Sequence, residues 1–285
     1  MDNQENSNKD RFHFSVGAFD CLVINDGNIS GNAEMLFINA PVQRLAKVLH
    51  AHTLDPEHLP STWSCLLVKT ADHVVLIDTG LGSGQPVGGH LLPILAEEGV
   101  SPTDIDTVIL THGHGDHIGG CVTESGDPAF PKATYFMGKD EWLYWTSEAT
   151  LAQESDSTAD FARKKLRPLT AILQTVEDGQ EIVPGIRVVV APGHTMGQIV
   201  VQIASDGEQL LFLADVALHP IHVEHPDWVS QMDADPAQTV LTRQKMFQWA
   251  VDHNALVLAF HFPPFPSLGH IVPDGSGWRW QAIDL

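Results

Sequence analysis

A layered α/β fold is what this sequence predicts, on three observations. Apolar runs of strand length, rich in Val, Ile and Leu, recur along the chain. Segments with helical spacing fall between them. Strands and helices alternate throughout, the pattern of sheets covered by helices. At 285 residues and 43% hydrophobic content, the chain can bury a substantial core.

The elements follow in order. Residues 1–10 are polar and acidic and read as a disordered tail, ahead of a single domain over 11–285. Stretches 12–24 and 64–69 are strand-like. Between them, Val42, Leu45, Val48 and Leu49 have helical spacing, with Pro41 at the start. Val74–Ile77 is a strand that ends in Asp78-Thr79-Gly80. Residues 90–98 read as a helix stopped by Gly99, and 101–104 as a turn into the strand Thr107–Leu110. Residues 134–137 are strand-like and precede Glu141-Trp142-Leu143-Tyr144-Trp145. Helical spacing over 157–173 includes Phe161, Leu166 and Leu169, and Pro168 should kink that helix. Runs 188–191, 210–214 and 256–260 are strands. Asp235-Pro236 is a helix start, an N-cap followed by proline at the first position, for a helix through Val240, Phe247 and Val251.

The formal net charge is −21, which argues against a nucleic-acid surface, because phosphate binding needs clustered Lys and Arg. No apolar run approaches the ~20 residues of a membrane span, and the polar start is no secretory signal, so the expected location is the cytoplasm. Cys21, Cys65 and Cys121 are far apart and read as reduced core residues.

The most informative stretch is Thr111-His-Gly-His-Gly-Asp-His-Ile-Gly-Gly120. Four strong ligands, His112, His114, Asp116 and His117, fall within six positions directly after a strand. Imidazole and carboxylate suit zinc, and also iron or manganese. Glycines let the backbone fold tightly around an ion. A solvated histidine-rich loop is the alternative, but the full His-x-His-x-Asp-His pattern is far more specific. It resembles the signature of the metallo-β-lactamase superfamily. Further ligand candidates follow later strands in the order that family needs: His194, Asp215 and His261. The resemblance covers roughly residues 12–280 and implies a four-layer αββα sandwich, two mixed sheets with helices outside and metals at one edge.

The resemblance also implies the chemistry. His112, His114 and His194 would hold one divalent ion, and Asp116, His117 and His261 the other, with Asp215 bridging. Zinc is the expected metal, with manganese, cobalt and iron as alternatives. The ions would generate a bridging hydroxide at neutral pH, and Asp116 would orient it and carry its proton to the leaving group. Asp78 would accept a hydrogen bond from the metal loop, or be an ordinary turn aspartate. Flavodiiron oxygen reductases carry Glu at the position of His114, so the ligand set favours a hydrolase.

Two local features narrow the branch. Phe260-His261-Phe-Pro-Pro-Phe-Pro-Ser-Leu-Gly-His-Ile271 and Ala214-Asp215-Val-Ala-Leu-His-Pro220, followed by Met232-Asp-Ala-Asp-Pro236, resemble the methyl parathion hydrolase branch. Bacillus-type homoserine lactonases carry a tyrosine three residues after the bridging aspartate, where this chain has Leu218. A tyrosine hydroxyl can stabilise a developing oxyanion or alkoxide, and leucine can only shape the pocket. That tilts the expectation towards aryl esters, aromatic lactones or organophosphate triesters in a small, apolar substrate. A quorum-quenching acyl homoserine lactonase is the alternative, and a catalytically silent metal- or ligand-binding protein of the same fold is the alternative of another class. Trp145 resembles a pocket tryptophan of the branch, and Phe262 sits beside a ligand, so each is a candidate for the substrate pocket. His219, His222 and His225 read as loop residues within reach of substrate, and His270 as hydrogen-bonding near the site or packing in the core. The resemblance also suggests a homodimer.

Overall fold

The structure is a computed structural model and describes residues 10–147 and 157–284. The expected tail lies outside them, apart from Asp10. Seven strands form a first sheet in chain order: β1 Arg11–Val16, β2 Phe19–Gly31, β3 Leu59–Lys69, β4 Val74–Ile77, β5 Thr107–Leu110, β6 Thr134–Gly138 and β7 Leu173–Val176. Seven more form a second: β8 Glu181–Val183, β9 Ile186–Val190, β10 Ile199–Ser205, β11 Glu208–Phe212, β12 Leu256–Leu258, β13 Leu268–Asp274 and β14 Gly277–Ala282. Both sheets are mixed. β1 to β4 run antiparallel and β4 to β7 parallel. β11 and β12 are parallel inside an otherwise antiparallel sheet.

The main core is one buried cluster fed by both sheets, with Val23, Leu67 and Ile109 from the first and Val188, Val201 and Leu258 from the second. A second cluster lies between the second sheet and the helix Pro236–Asp252, where Met246, Phe247 and Ala250 meet Val200, Leu211 and Val257. Helices Leu91–Glu97 and Ser157–Leu166 add Ile94, Leu95, Ala162 and Leu166 to the main core. This is the expected αββα sandwich.

Two parallel sets of strands decide where chemistry can occur. In the first sheet β4, β5 and β6 point the same way. In the second, β9, β11 and β12 do, since β10 runs antiparallel to both β9 and β11. The segments after β5 and β9 meet at one edge, where the Ile199 amide donates to the Thr111 carbonyl at 3.0 Å.

Most expected elements are present, with two differences. The stretch 12–24 is a hairpin rather than one strand. Gly17 turns it with φ +55°, and an added Cβ there would lie 2.2 Å from the Ser205 carbonyl oxygen. The expected helix over 157–173 stops at Leu166, passes through a 3-10 turn at Arg167–Leu169 and gives way to β7. Pro168 has no amide to donate and ends the helix rather than kinking it. Leu173 then pairs with Tyr135 at the sheet edge. Asp235 caps the helix Pro236–Asp252 as expected, accepting from the Gln238 amide at 3.0 Å.

Candidate metal centre and cavity

Each of the seven expected ligands sits just past a strand end. His112 and His114 follow β5, and Asp116 and His117 lie in the single turn Gly115–Ile118. His194 follows β9, Asp215 follows β11, and His261 follows β12. The turn at Asp215 is tight: Ala214 holds φ +47°, a left-handed conformation that costs energy outside glycine. The side chains gather into two groups, His112, His114, His194 and Asp215 in one, and Asp116, His117 and His261 in the other, with donor atoms inside each within 4.8 Å of one another. Asp215 reaches both groups, since its carboxylate lies 3.2 Å from His194 Nε2, His117 Nε2 and His261 Nε2.

The imidazoles are aimed from behind. His117 Nδ1 donates to Asp78 at 2.7 Å, His194 Nδ1 to Asp233 at 3.1 Å, and His261 Nδ1 to the Thr62 carbonyl at 3.1 Å. These acceptors fix the tautomer and leave each Nε2 lone pair facing inward. His114 presents its Nδ1 instead, 3.1 Å from His112 Nε2 and 3.0 Å from His194 Nε2. Asp78 is therefore more than a turn residue. It also accepts from the Thr111 amide and hydroxyl, both at 2.8 Å, and holds φ +59° to do so.

The donor set fits divalent metal. His117 Nε2 and Asp215 Oδ1 are buried 3.2 Å apart, and neither makes a well-aligned hydrogen bond, an arrangement that a cation held by both would satisfy. Burial holds His112 well below the usual histidine range and His114 down at about 3, whereas against burial the carboxylates of Asp215, Asp116 and Asp78 hold His117 well above that range and those of Asp215 and Asp233 lift His194 to about 9. Burial opposes ionisation of Asp215, yet the imidazoles of His261, His117 and His112 hold its carboxyl well below the usual range. No cysteine joins either group. Cys121 is buried and directs its thiol towards the Lys165 carbonyl at 3.6 Å.

A cavity of about 1060 Å³ opens over this centre. His114, Asp116, His194, Asp215 and His261 line it, and its walls include Ile29, Met35, Trp63, Met196 and Met232. Trp145 and Leu218 line it too. The Trp145 ring stands edge-on to His114 at 5.9 Å. Phe262 does not line it. That side chain is fully buried in the second core cluster, its ring 5.0 Å from Trp280, because the turn after His261 points it to the far side of the sheet. Nor do the other histidines reach the cavity. His219 and His222 are buried around Phe37, and their Nδ1 atoms accept from the Ile221 and Leu218 amides, which braces the turn carrying Leu218. His225 stacks on Trp228 at 4.0 Å. His270 donates to the Ala255 carbonyl at 3.0 Å.

Sequence reasoning missed two buried acids. Asp233 orients His194. Glu141, fully buried, accepts four hydrogen bonds from residues around the centre. Burial raises the pKa of Glu141 and the four donors oppose that rise. Its one sequence signal was an acid four residues before Trp145 in an aromatic helix.

The sequence profile of the metallo-β-lactamase superfamily matches residues 63–281. The chain belongs to that superfamily. An N-acyl homoserine lactonase of Bacillus thuringiensis is 28% identical over 153 residues, 47% of this chain and 54% of that protein. The chain thus spans about half the length of the curated lactonases it matches first. AidC, a dizinc quorum-quenching lactonase solved with the product N-hexanoyl-L-homoserine, aligns with TM-score 0.89 at 26% identity, covering 97% of this chain and 98% of that one. The hydrolase AbOPH of the β-lactamase superfamily aligns with the same TM-score, identity and coverage. Among the described residues of this superfamily member, no helix is long and apolar enough to cross a membrane.

Proposed function

We propose that the protein is a dinuclear-zinc hydrolase that opens lactone rings, with N-acyl homoserine lactones as the substrate class. One observation carries the reading: two metal-ligand groups share Asp215 at the base of a cavity whose walls are largely apolar. Such a cavity suits a polar ring held at the ions and an acyl chain laid along the wall. The likeness to a dizinc lactonase over nearly the full chain supports it.

Divalent ions bound here would lower the pKa of a shared water and polarise the ester carbonyl. His112, His114 and His194 would hold one ion, Asp116, His117 and His261 the other, and Asp215 both. Asp116 lines the cavity, with its carboxylate 3.4 Å from His261 Nε2. From there it accepts the proton of the attacking water and returns it to the leaving alkoxide. Trp145 closes the wall beside His114 and keeps bulk water from the ring.

A second reading has its own observation. Leu218 lines the cavity where a tyrosine hydroxyl would assist a poor leaving group. Its lack favours substrates with good leaving groups, aryl esters and phosphotriesters, as in the methyl parathion hydrolase branch. Zinc-loaded protein is expected to release acid from N-hexanoyl homoserine lactone, to lose that activity on dialysis against a strong chelator, and to regain it with zinc, manganese or cobalt. Turnover that survives chelation would sink the mechanism. Metal uptake without turnover of any ester would make the protein a silent binder.

A further inference from the structure

We propose that Glu141 is a positioning residue that sets the affinity of one metal position, the one built by His112, His114 and His194, and ties that position to the cavity wall. The inference rests on the two-metal reading above. Glu141 lies on the helix Lys139–Thr146, behind the centre and out of the cavity. Its Oε1 accepts from the Gly113 amide at 2.8 Å and from Trp145 Nε1 at 2.6 Å. Its Oε2 accepts from the Thr195 hydroxyl at 2.7 Å and from the Gly197 amide at 2.9 Å.

The partners are what give this carboxylate its role. Gly113 is the residue between His112 and His114, and Thr195 directly follows His194. One side chain therefore grips the backbone that carries all three imidazoles of one group, across loops from two different sheets. Its hydrogen bonds reach neither the turn of Asp116 and His117 nor the segment of His261. Asp78 braces His117 of the other group and also holds Thr111, beside His112, so it spans both groups, whereas Glu141 serves one. Packing leaves little slack around Glu141. A Cβ on Gly113 would lie 2.2 Å from Trp145 Nε1, and one on Gly197 2.0 Å from the Glu141 amide nitrogen. Only an acceptor-only group satisfies the two amides and the indole N–H together. An amide side chain turns its NH2 towards one pair of donors whichever way it is placed.

The test is a zinc titration against a chromophoric chelator, with metal content measured after dialysis. Wild type should hold two equivalents. Glu141→Gln should weaken one of the two by about 10–100-fold, the range for groups that orient metal ligands, and leave the other at its wild-type affinity. Adding His261→Ala to Glu141→Gln should then cost the retained ion, which identifies it. Two sites at wild-type affinity in Glu141→Gln, or both weakened equally, overturns the inference. A wild type that binds no zinc overturns the two-metal reading instead. Should Glu141→Gln be insoluble, Thr195→Val removes one donor and must weaken the same position. Unchanged affinities in that variant count against the inference.

Discussion

The proposed mechanism gives Asp116 two duties, metal ligand and proton carrier, that can be separated at the scale of one residue. Its carboxylate faces His261 Nε2 and also reaches the cavity. Asn keeps the shape and a neutral oxygen for the ion but cannot accept the proton. Asp116→Asn should therefore retain zinc while kcat falls about a hundredfold, the lower range for a lost general base. Steady-state kinetics beside metal analysis checks this, and full activity with both ions in place would remove Asp116 from the proton path. Single residues also show where sequence reading stops. The seven candidate ligands, which the fold gathers into two groups, could be singled out because several sit in one short motif and the others follow strands in family order. Glu141 and Asp233 were not, because an isolated acid in sequence looks like any solvated acid. Only the fold reveals that these two are buried with donors converging on them. Phe262 shows the converse: nearness to His261 in sequence did not survive the turn that follows it.

Elements position the site, and two substitutions test how. Asp235 caps the helix Pro236–Asp252, and the amides of Ala234 and Asp235 donate to the carbonyls of His194 and Gly193. Asp235→Ala should cost about 1 kcal/mol of stability, the usual value for a lost N-cap. Urea unfolding would read that cost, and kcat should change little because the backbone bonds persist. Gly113 is the opposite case. Gly113→Ala drives a methyl into the buried Trp145, so it should shift the tryptophan fluorescence, raise KM and also lower the urea midpoint, since overpacking costs about 1–3 kcal/mol. The strands that lead into the site were legible as apolar runs bounded by turn residues, whereas β8, β10, β13 and β14 were not singled out. The stretch 157–173 was not, because its apolar spacing persists past the true helix end and edge pairing with β6 decides where the strand begins. Propensity cannot show which neighbour a segment will meet.

At the scale of the whole molecule, ions that bind only the folded state stabilise it by mass action. Calorimetry should show Tm falling by several degrees on chelation, since about 1 kcal/mol corresponds to roughly 2–4 °C in a chain of this size. The three cysteines are buried and free. Burial pushes the Cys21 and Cys121 thiols up to about 12 and Cys65 well above its usual value. A thiol reagent at pH 8 should therefore label none of them in the folded protein and all three after denaturation. The αββα layering was legible through the family motif, because periodicity alone cannot say how two sheets stack. The cavity was not legible, since its walls come from segments far apart in the chain, from Ile29 to Met232. The decisive comparison is kcat/KM of zinc-loaded protein for N-hexanoyl homoserine lactone and for a dialkyl nitrophenyl phosphotriester. A clear preference for the lactone is the expected result. A clear preference for the phosphotriester would keep the metal chemistry, contradict the lactone assignment and make Leu218 the better guide to substrate.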